Sequence, residues 1–232
     1  MSALALEEQL DAIDPLRHLR QHDELDLVPA QPPSVHNQTL ELAFPPVSIR
    51  LLVDASPGCG GIAWPAGEVL STYIARRGSL QGKHVLELGS GTGLVGLVAG
   101  MLGADVCITD QAPLLPIMER NVALNNLSDC VSVLELNWGD PLPRNLPHFD
   151  LILAADCVYF EPAFPLLVQT LVDIASRDDP EILFCYKKRR KADKRFFTML
   201  KKKFSWEEAF DDPDREKHGK DAISLLRLAR RR

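Results

Sequence analysis

The stretch His84-Val85-Leu86-Glu87-Leu88-Gly89-Ser90-Gly91-Thr92-Gly93-Leu94-Val95-Gly96 decides the fold. Val85, Leu86 and Leu88 supply a short apolar run, glycines then recur at every second position, and Leu94 to Leu102 is apolar almost all round. That order predicts a buried strand, a tight turn and a helix that packs on a sheet. Gly89, Gly91 and Gly93 permit a sharp backbone turn and leave bare peptide groups facing a ligand. The stretch is a nucleotide-type binding turn in an α/β fold.

Two cofactors compete for such a turn. Gly91-Thr92-Gly93-Leu94-Val95-Gly96 fits GxGxxG, and Asp110 follows at the spacing of a ribose-binding acid, which is the dinucleotide pattern. Glu87, two residues before the first glycine, opposes it: a carboxylate there repels the pyrophosphate of NAD. S-adenosylmethionine (AdoMet) carries a sulfonium and an α-ammonium instead, and Glu87 suits both. The order Glu87-Leu88-Gly89-Ser90-Gly91-Thr92-Gly93 therefore favours AdoMet over NAD.

Outward from this turn, strands and helices alternate. Strands are expected at 83–88, 104–109, 130–135, 149–155 and 181–186, and helices at 93–102, 113–125, 164–176 and 191–203. This alternation predicts βαβ units and a mostly parallel sheet. Upstream, 39–44 and 47–53 flank Pro45-Pro46 as an N-terminal β-hairpin, a glycine loop at Gly58, Gly60 and Gly61 follows, and 66–77 has helical spacing. Downstream, 204–210 and 222–228 form an antiparallel pair at a sheet edge, joined by a charged loop from Asp211 to Lys220.

The 232 residues amount to one domain, 39–232, with an acidic arm at 1–38. Ala3 to Leu19 has the pattern of an amphipathic helix. The formal net charge of −6 excludes nucleic-acid binding by bulk charge, yet residues 187–203 hold ten Lys or Arg against one Asp. The run Lys187-Lys188-Arg189-Arg190-Lys191 reads either as a contact for an acidic or phosphate-bearing partner, or as the solvated face of a helix whose Phe196, Phe197 and Leu200 are buried. The cysteines at 59, 107, 130, 157 and 185 show no CxxC spacing, and the six histidines show no metal spacing, so no metal site is expected. Without a membrane-length apolar run or signal peptide, a cytoplasmic protein is expected.

In an open α/β sheet the ligand sits beyond the carboxyl ends of the strands. Asp110 lies there to accept from ribose hydroxyls, with a helix N-cap as its alternative reading. Trp138 either flanks an adenine or packs a loop. Asp156 comes after the small residues Ala154 and Ala155 at a strand end, which places a carboxylate beside the reacting centre, with the cap of a helix turn as its alternative reading, and Tyr159 lines the same opening. Trp64, after the glycine loop, either packs in the interior or reaches the cofactor's methionine end.

The ordered set Trp64, Leu86 to Gly93, Thr109-Asp110, Asn121 with Asn125-Asn126, Trp138 and Asp156-Cys157-Val158-Tyr159 resembles the seven-β-strand protein-lysine methyltransferases of methyltransferase family 16. The Asp-x-x-Tyr after the fourth strand is the more specific part, and the resemblance spans roughly residues 39–229. It implies a Rossmann-like seven-stranded AdoMet-dependent methyltransferase fold, mostly parallel with an antiparallel C-terminal hairpin. It implies AdoMet contacts at Trp64, Gly89, Ser90, Gly91, Asp110, Trp138 and Ala155, to which the turn itself adds Glu87 and Gly93. Asp156 and Tyr159 are then the catalytic pair lining a lysine channel. The run Cys185 to Lys194 is similar to fungal members that methylate translation elongation factor 1-alpha, so a protein substrate and a monomeric enzyme are expected. An AdoMet enzyme acting on a small molecule or nucleic acid, an NAD oxidoreductase and a non-catalytic scaffold are the alternatives.

Overall fold

The computed structural model describes residues 36–56, 59–189 and 193–231. The expected helix at Ala3 to Leu19, Gly58, and Arg190 and Lys191 of the basic run lie outside these residues. The chain begins with a separate antiparallel hairpin, β1 (Gln38–Phe44) and β2 (Val47–Val53), followed by α1 (Pro65–Arg77). The main sheet is then wound from β3 (His84–Leu88), α2 (Leu94–Met101), β4 (Asp105–Asp110), α3 (Leu115–Leu124), β5 (Val131–Glu135), β6 (Leu151–Ala155), α4 (Phe164–Asp178) and β7 (Glu181–Lys187). It ends with α5 (Asp193–Leu200), β8 (Phe204–Glu208), α6 (Arg215–Lys220) and β9 (Ile223–Arg230).

The seven strands lie in the order β5-β4-β3-β6-β7-β9-β8. The first five are parallel, β9 runs antiparallel to β7, and β8 antiparallel to β9. The tail forms the expected antiparallel pair at the sheet edge, with β9 against β7 and β8 outermost. One expectation changes: the segment from Asp211 to Lys220 is not wholly loop but contains the short helix α6. The pattern Ile223, Leu225, Leu226 and Leu228, all buried, is what an interior strand needs.

Strand alternation divides the core in two. Val85 of β3, with Leu151 and Leu153 of β6, faces the layer of α1, α2, α3 and the hairpin. Leu86 and Leu88, with Ile152 and Ala154, face the layer of α4 and α5. α2 is buried from Leu94 through Gly100, as its all-round apolar sequence requires. The hairpin is attached by amide side chains rather than by a sheet. Asn121 on α3 accepts from the Leu52 N–H at 2.7 Å and donates to the Leu52 carbonyl at 3.0 Å. Asn125, one turn on, makes the same pair with Arg50 at 2.9 and 2.8 Å. Two side chains at helical spacing thus imitate the neighbouring strand that β2 lacks. Asn121 also donates to the Thr92 carbonyl at 2.9 Å, tying the hairpin to the glycine turn.

Candidate active site

The chain leaves β3 for β4 on one side and later returns to place β6 on the other, so the crevice opens at the carboxyl ends of β3, β4 and β6. A cleft of about 700 Å³, counting its open mouth, occupies that position. All but one of the expected site residues line it: Trp64, Glu87, Gly89, Ser90, Gly91, Asp110, Trp138, Ala155, Asp156 and Tyr159. Gly93 does not; it serves the turn from below, with φ at +83° and space that a Cβ would lose to Ile108 at 2.9 Å.

The turn tolerates no side chains on its ligand side. A Cβ on Gly89 would meet the Trp138 indole at 2.8 Å, and one on Gly91 would meet the Gly60 carbonyl oxygen at 2.5 Å, both from left-handed backbone. Trp138 therefore packs against the first glycine from one side. The loop expected at Gly60 and Gly61 crosses the second, with Cys59–Gly61 forming a single 3-10 turn. The Trp64 indole donates to the Cys59 carbonyl at 2.8 Å, fixing that loop against the start of α1. Ser90 stitches the ends of β3 and β4, exchanging bonds with Thr109 at 2.9 Å.

Asp110 accepts from the Gly91 N–H at 2.8 Å and from the Gln111 N–H at 2.7 Å. It is not a helix cap: the 3-10 turn after it has Gln111 at its cap position and no side-chain bond. Burial raises its carboxyl above the usual aspartate range. Each oxygen retains a lone pair toward the cleft, which is the acceptor set a ribose diol requires.

Glu87 lies on the α2 side of the sheet and is 2 % exposed. Its Oε2 accepts from the Gly96 N–H at 2.9 Å, inside the first turn of α2. The cap residue Gly93 has no side chain, so Glu87 supplies the acceptor that a cap would give and sits at the positive end of the helix. Burial nonetheless raises its carboxyl from 4.5 to about 8. With no cation beside it among the described residues this group holds its proton at neutral pH, and a cation placed there draws the proton off. Glu87 thus has two tasks: it binds α2 and it is poised to take up charge.

At the far end, Asp156 leaves β6 in a left-handed conformation, φ +57°, which aspartate accepts more readily than most residues. Its N–H donates to the Cys185 carbonyl at 2.8 Å, and its carboxylate turns to the end of β7. There Oδ1 accepts from the Lys187 N–H at 3.0 Å, and both oxygens take the Arg189 guanidinium, at 2.7 and 2.8 Å. The guanidinium carbon lies 5.1 Å from the centre of the Trp64 ring. Arg189 does not lie on a solvated helix face; its guanidinium is turned inward onto Asp156. Phe196 and Leu200 are buried and Phe197 is half-buried, as the helix reading requires. Tyr159 shares a hydrogen bond with the Cys59 thiol, and burial holds its hydroxyl protonated well above the tyrosine range.

Two participants were missed from sequence, Arg189 and the Gly60 carbonyl, and Asn121, which was part of the family resemblance, had been given no role. For Arg189 a signal existed in the strand order. β6 and β7 are parallel neighbours, so the residues just past their carboxyl ends lie side by side.

A sequence profile described as lysine methyltransferase matches residues 44–203. The chain is 43% identical over 202 residues to the protein-lysine N-methyltransferase EFM6 of Saccharomyces cerevisiae, covering 75% of this chain and 82% of that protein. It is 40% identical over 192 residues to the protein N-lysine methyltransferase METTL21A of Danio rerio, covering 79% and 87%. Among solved structures, a T. thermophilus 16S rRNA methyltransferase (RsmC) bound to AdoMet and guanosine superposes with a TM-score of 0.60 at 19% identity. That match covers 88% of this chain and 53% of the other, and it speaks to the fold alone.

Proposed function

The chain belongs to the lysine methyltransferase family and is an AdoMet-dependent protein-lysine N-methyltransferase; from that premise we propose that it acts on translation elongation factor 1-alpha, as a monomer in the cytoplasm. The observation that carries the site assignment is the pairing of a glycine-built cofactor cradle with a carboxylate, Asp156, at the same strand-end crevice. The similarity of Cys185 to Lys194 to fungal enzymes acting on elongation factor 1-alpha supports the substrate. Among the described residues no helix is long and apolar enough to cross a membrane, which is compatible with a cytoplasmic location.

The residues fit the cofactor. Gly89 and Gly91 leave room against bare backbone, Asp110 would offer two acceptors to the ribose, Trp138 would bound the adenine side, and Glu87 would receive the cationic methionine end. AdoMet, when bound, supplies an electrophilic methyl group on a sulfonium. The chain's own residues bring an amine to it. A lysine side chain is an ammonium at neutral pH, with an ordinary pKa of about 10.4, and must lose a proton before its lone pair can attack. Asp156 receives the ammonium and holds the amine in line after the proton has passed to water. Tyr159, fixed in its protonated form, cannot be the base; it walls the channel and orients the amine through its hydroxyl. Transfer would leave the methylated nitrogen positively charged, and Asp156 is the residue that would stand beside that charge. Most of the acceleration then comes from alignment, for which well-oriented reactions gain about 7–11 kcal/mol.

The test is direct. Purified protein is incubated with tritiated AdoMet and an extract from cells lacking it, and the labelled band is identified by mass spectrometry. A methylated lysine in elongation factor 1-alpha is the expected result. Label confined to another protein would remove that substrate.

A further inference from the structure

The acceptor end of the cleft already holds a cation. Arg189 lies two residues beyond the last residue of β7, and its guanidinium lies among Asp156, Trp64 and the cleft wall. Both Asp156 oxygens are engaged, at 2.7 and 2.8 Å, and the Trp64 face lies 5.1 Å from the guanidinium carbon. A carboxylate opposite an aromatic face is the environment a lysine ammonium itself calls for. Two cations cannot share it, because a second positive charge at that distance from the first is repelled in a site with little water.

We propose that Arg189 is a resident stand-in for the acceptor lysine: its guanidinium fills the acceptor subsite of Asp156 and Trp64, and a substrate lysine enters by displacing it. The inference rests on Asp156 marking the acceptor end of a lysine methyltransferase site. Three features make the exchange feasible. The Arg189 side chain is 18 % exposed, so it sits at the rim with solvent on one side. Its backbone N–H is held separately by Asp193 at 2.9 Å, so the side chain can swing without releasing the loop. And Asp156, whose side chain is only 5 % exposed, is never left without a cation, since one positive group replaces another.

This arrangement sets substrate selectivity. A bidentate guanidinium is the stronger partner, so a lysine ammonium displaces it only with help from contacts elsewhere on the substrate. The apparent affinity of any acceptor is reduced by the fraction of enzyme whose subsite is open. A folded protein that offers a wide contact surface can overcome that bias, and a free amine cannot. Asp156 also stays shielded from small cations between turnovers.

The experiment compares wild type, Arg189→Gln and Arg189→Lys with two acceptors, elongation factor 1-alpha and Nα-acetyl-lysine methylamide. Glutamine keeps a hydrogen bond to Asp156 but vacates the charge. Melting curves and AdoMet titrations confirm that each variant is folded and loads cofactor. Arg189→Gln is expected to lower KM for elongation factor about ten-fold with kcat within about two-fold, and to methylate the small amide at least about ten-fold faster than wild type. Arg189→Lys, which retains a cation for Asp156, is expected to fall between the two. No gain on the amide, or a fall in kcat with the pH–rate profile displaced to higher pH, would overturn the proposal. The latter is the mark of a guanidinium that stays and keeps the amine unprotonated. If wild type leaves elongation factor unmethylated while Arg189→Gln still gains on the amide, the substrate assignment fails and the role of Arg189 stands.

Discussion

Three carboxylates line the cleft, and Glu87 and Asp156, at its two ends, are kept in check differently. Glu87, at the cofactor end, has no cationic partner among the described residues; it takes a backbone N–H and holds a proton. Asp156, at the acceptor end, takes a backbone N–H too, but its charge is matched by the chain's own arginine. The first is a site waiting for a charge and the second a site that must exchange one. The contrast teaches that a cation-binding pocket can be preorganised either by a proton that leaves or by a side chain that moves. A small cofactor suits the first, because proton release needs no rearrangement. A macromolecular substrate suits the second, because its extra contacts can drive the displacement.

The sharpest way to break the comparison is at Asp156. Asp156→Ala is expected to lower turnover at least about 100-fold, the cost of a misplaced reacting group, while AdoMet affinity stays within about three-fold. Steady-state rates beside calorimetric titrations check both halves, and loss of AdoMet binding would show that the two ends are not separable.

At the cofactor end the strongest effect is steric. Gly91→Ala places a methyl 2.5 Å from the Gly60 carbonyl on left-handed backbone. It is expected to cost about 1–3 kcal/mol of stability and to abolish measurable AdoMet binding. A melting curve that matches wild type would contradict the close crossing of the two loops.

Glu87→Gln comes next, with about ten-fold weaker AdoMet binding from loss of the charge that answers the sulfonium and ammonium. It has a second reading in the unliganded protein. The unfolded chain ionises Glu87 near 4.5, whereas the folded one retains the proton to about 8. Between those values the folded state binds more protons, so this group's contribution is fully present below 4.5 and is lost as pH rises to 8. Wild type should therefore lose on the order of a few kcal/mol of stability across that window, and Glu87→Gln should not. Denaturant titrations at about pH 5.5 and about pH 8.5, on either side of most of that change, separate them.

The smallest effect lies at the hairpin. Asn121→Ala removes three hydrogen bonds, two to Leu52 and one to Thr92, each worth ~1 kcal/mol net. Loss of about 1–3 kcal/mol with AdoMet affinity weakened by no more than about three-fold is expected, because the turn keeps its Asp110 and Ser90 bonds.

The same contrast governs how much could be read in advance. The cofactor end is local in sequence: strand, carboxylate, glycines and helix fall within Glu87 to Gly96, and each constraint is set by backbone geometry. Its residues and the sheet around it were therefore legible. What stayed hidden there was the second task of Glu87, its bond to the first turn of α2, which becomes meaningful only once Gly93 is seen to leave the cap position without a side chain. The acceptor end is long-range. Asp156 and Tyr159 were visible as a strand-end pair, but the partner of Asp156 lies 33 residues later, in a run of bases any of which has the same chemistry. Only the register of β6 beside β7 selects Arg189. Likewise Asn121 and Asn125 were visible as part of the family pattern, but what they do appears only when β2 is placed against them. The interior position of β9 came from a sheet order that a two-strand tail does not declare.

The most direct measurement is the heat of AdoMet binding at neutral pH in two buffers of different ionisation enthalpy, for wild type and Glu87→Gln, with NAD titrated in parallel. The expected result is proton release on AdoMet binding in wild type, none in the variant, and no heat from NAD. Heat from NAD with none from AdoMet, or equal proton release by both proteins, would contradict a cofactor site built around a carboxylate that awaits a positive charge.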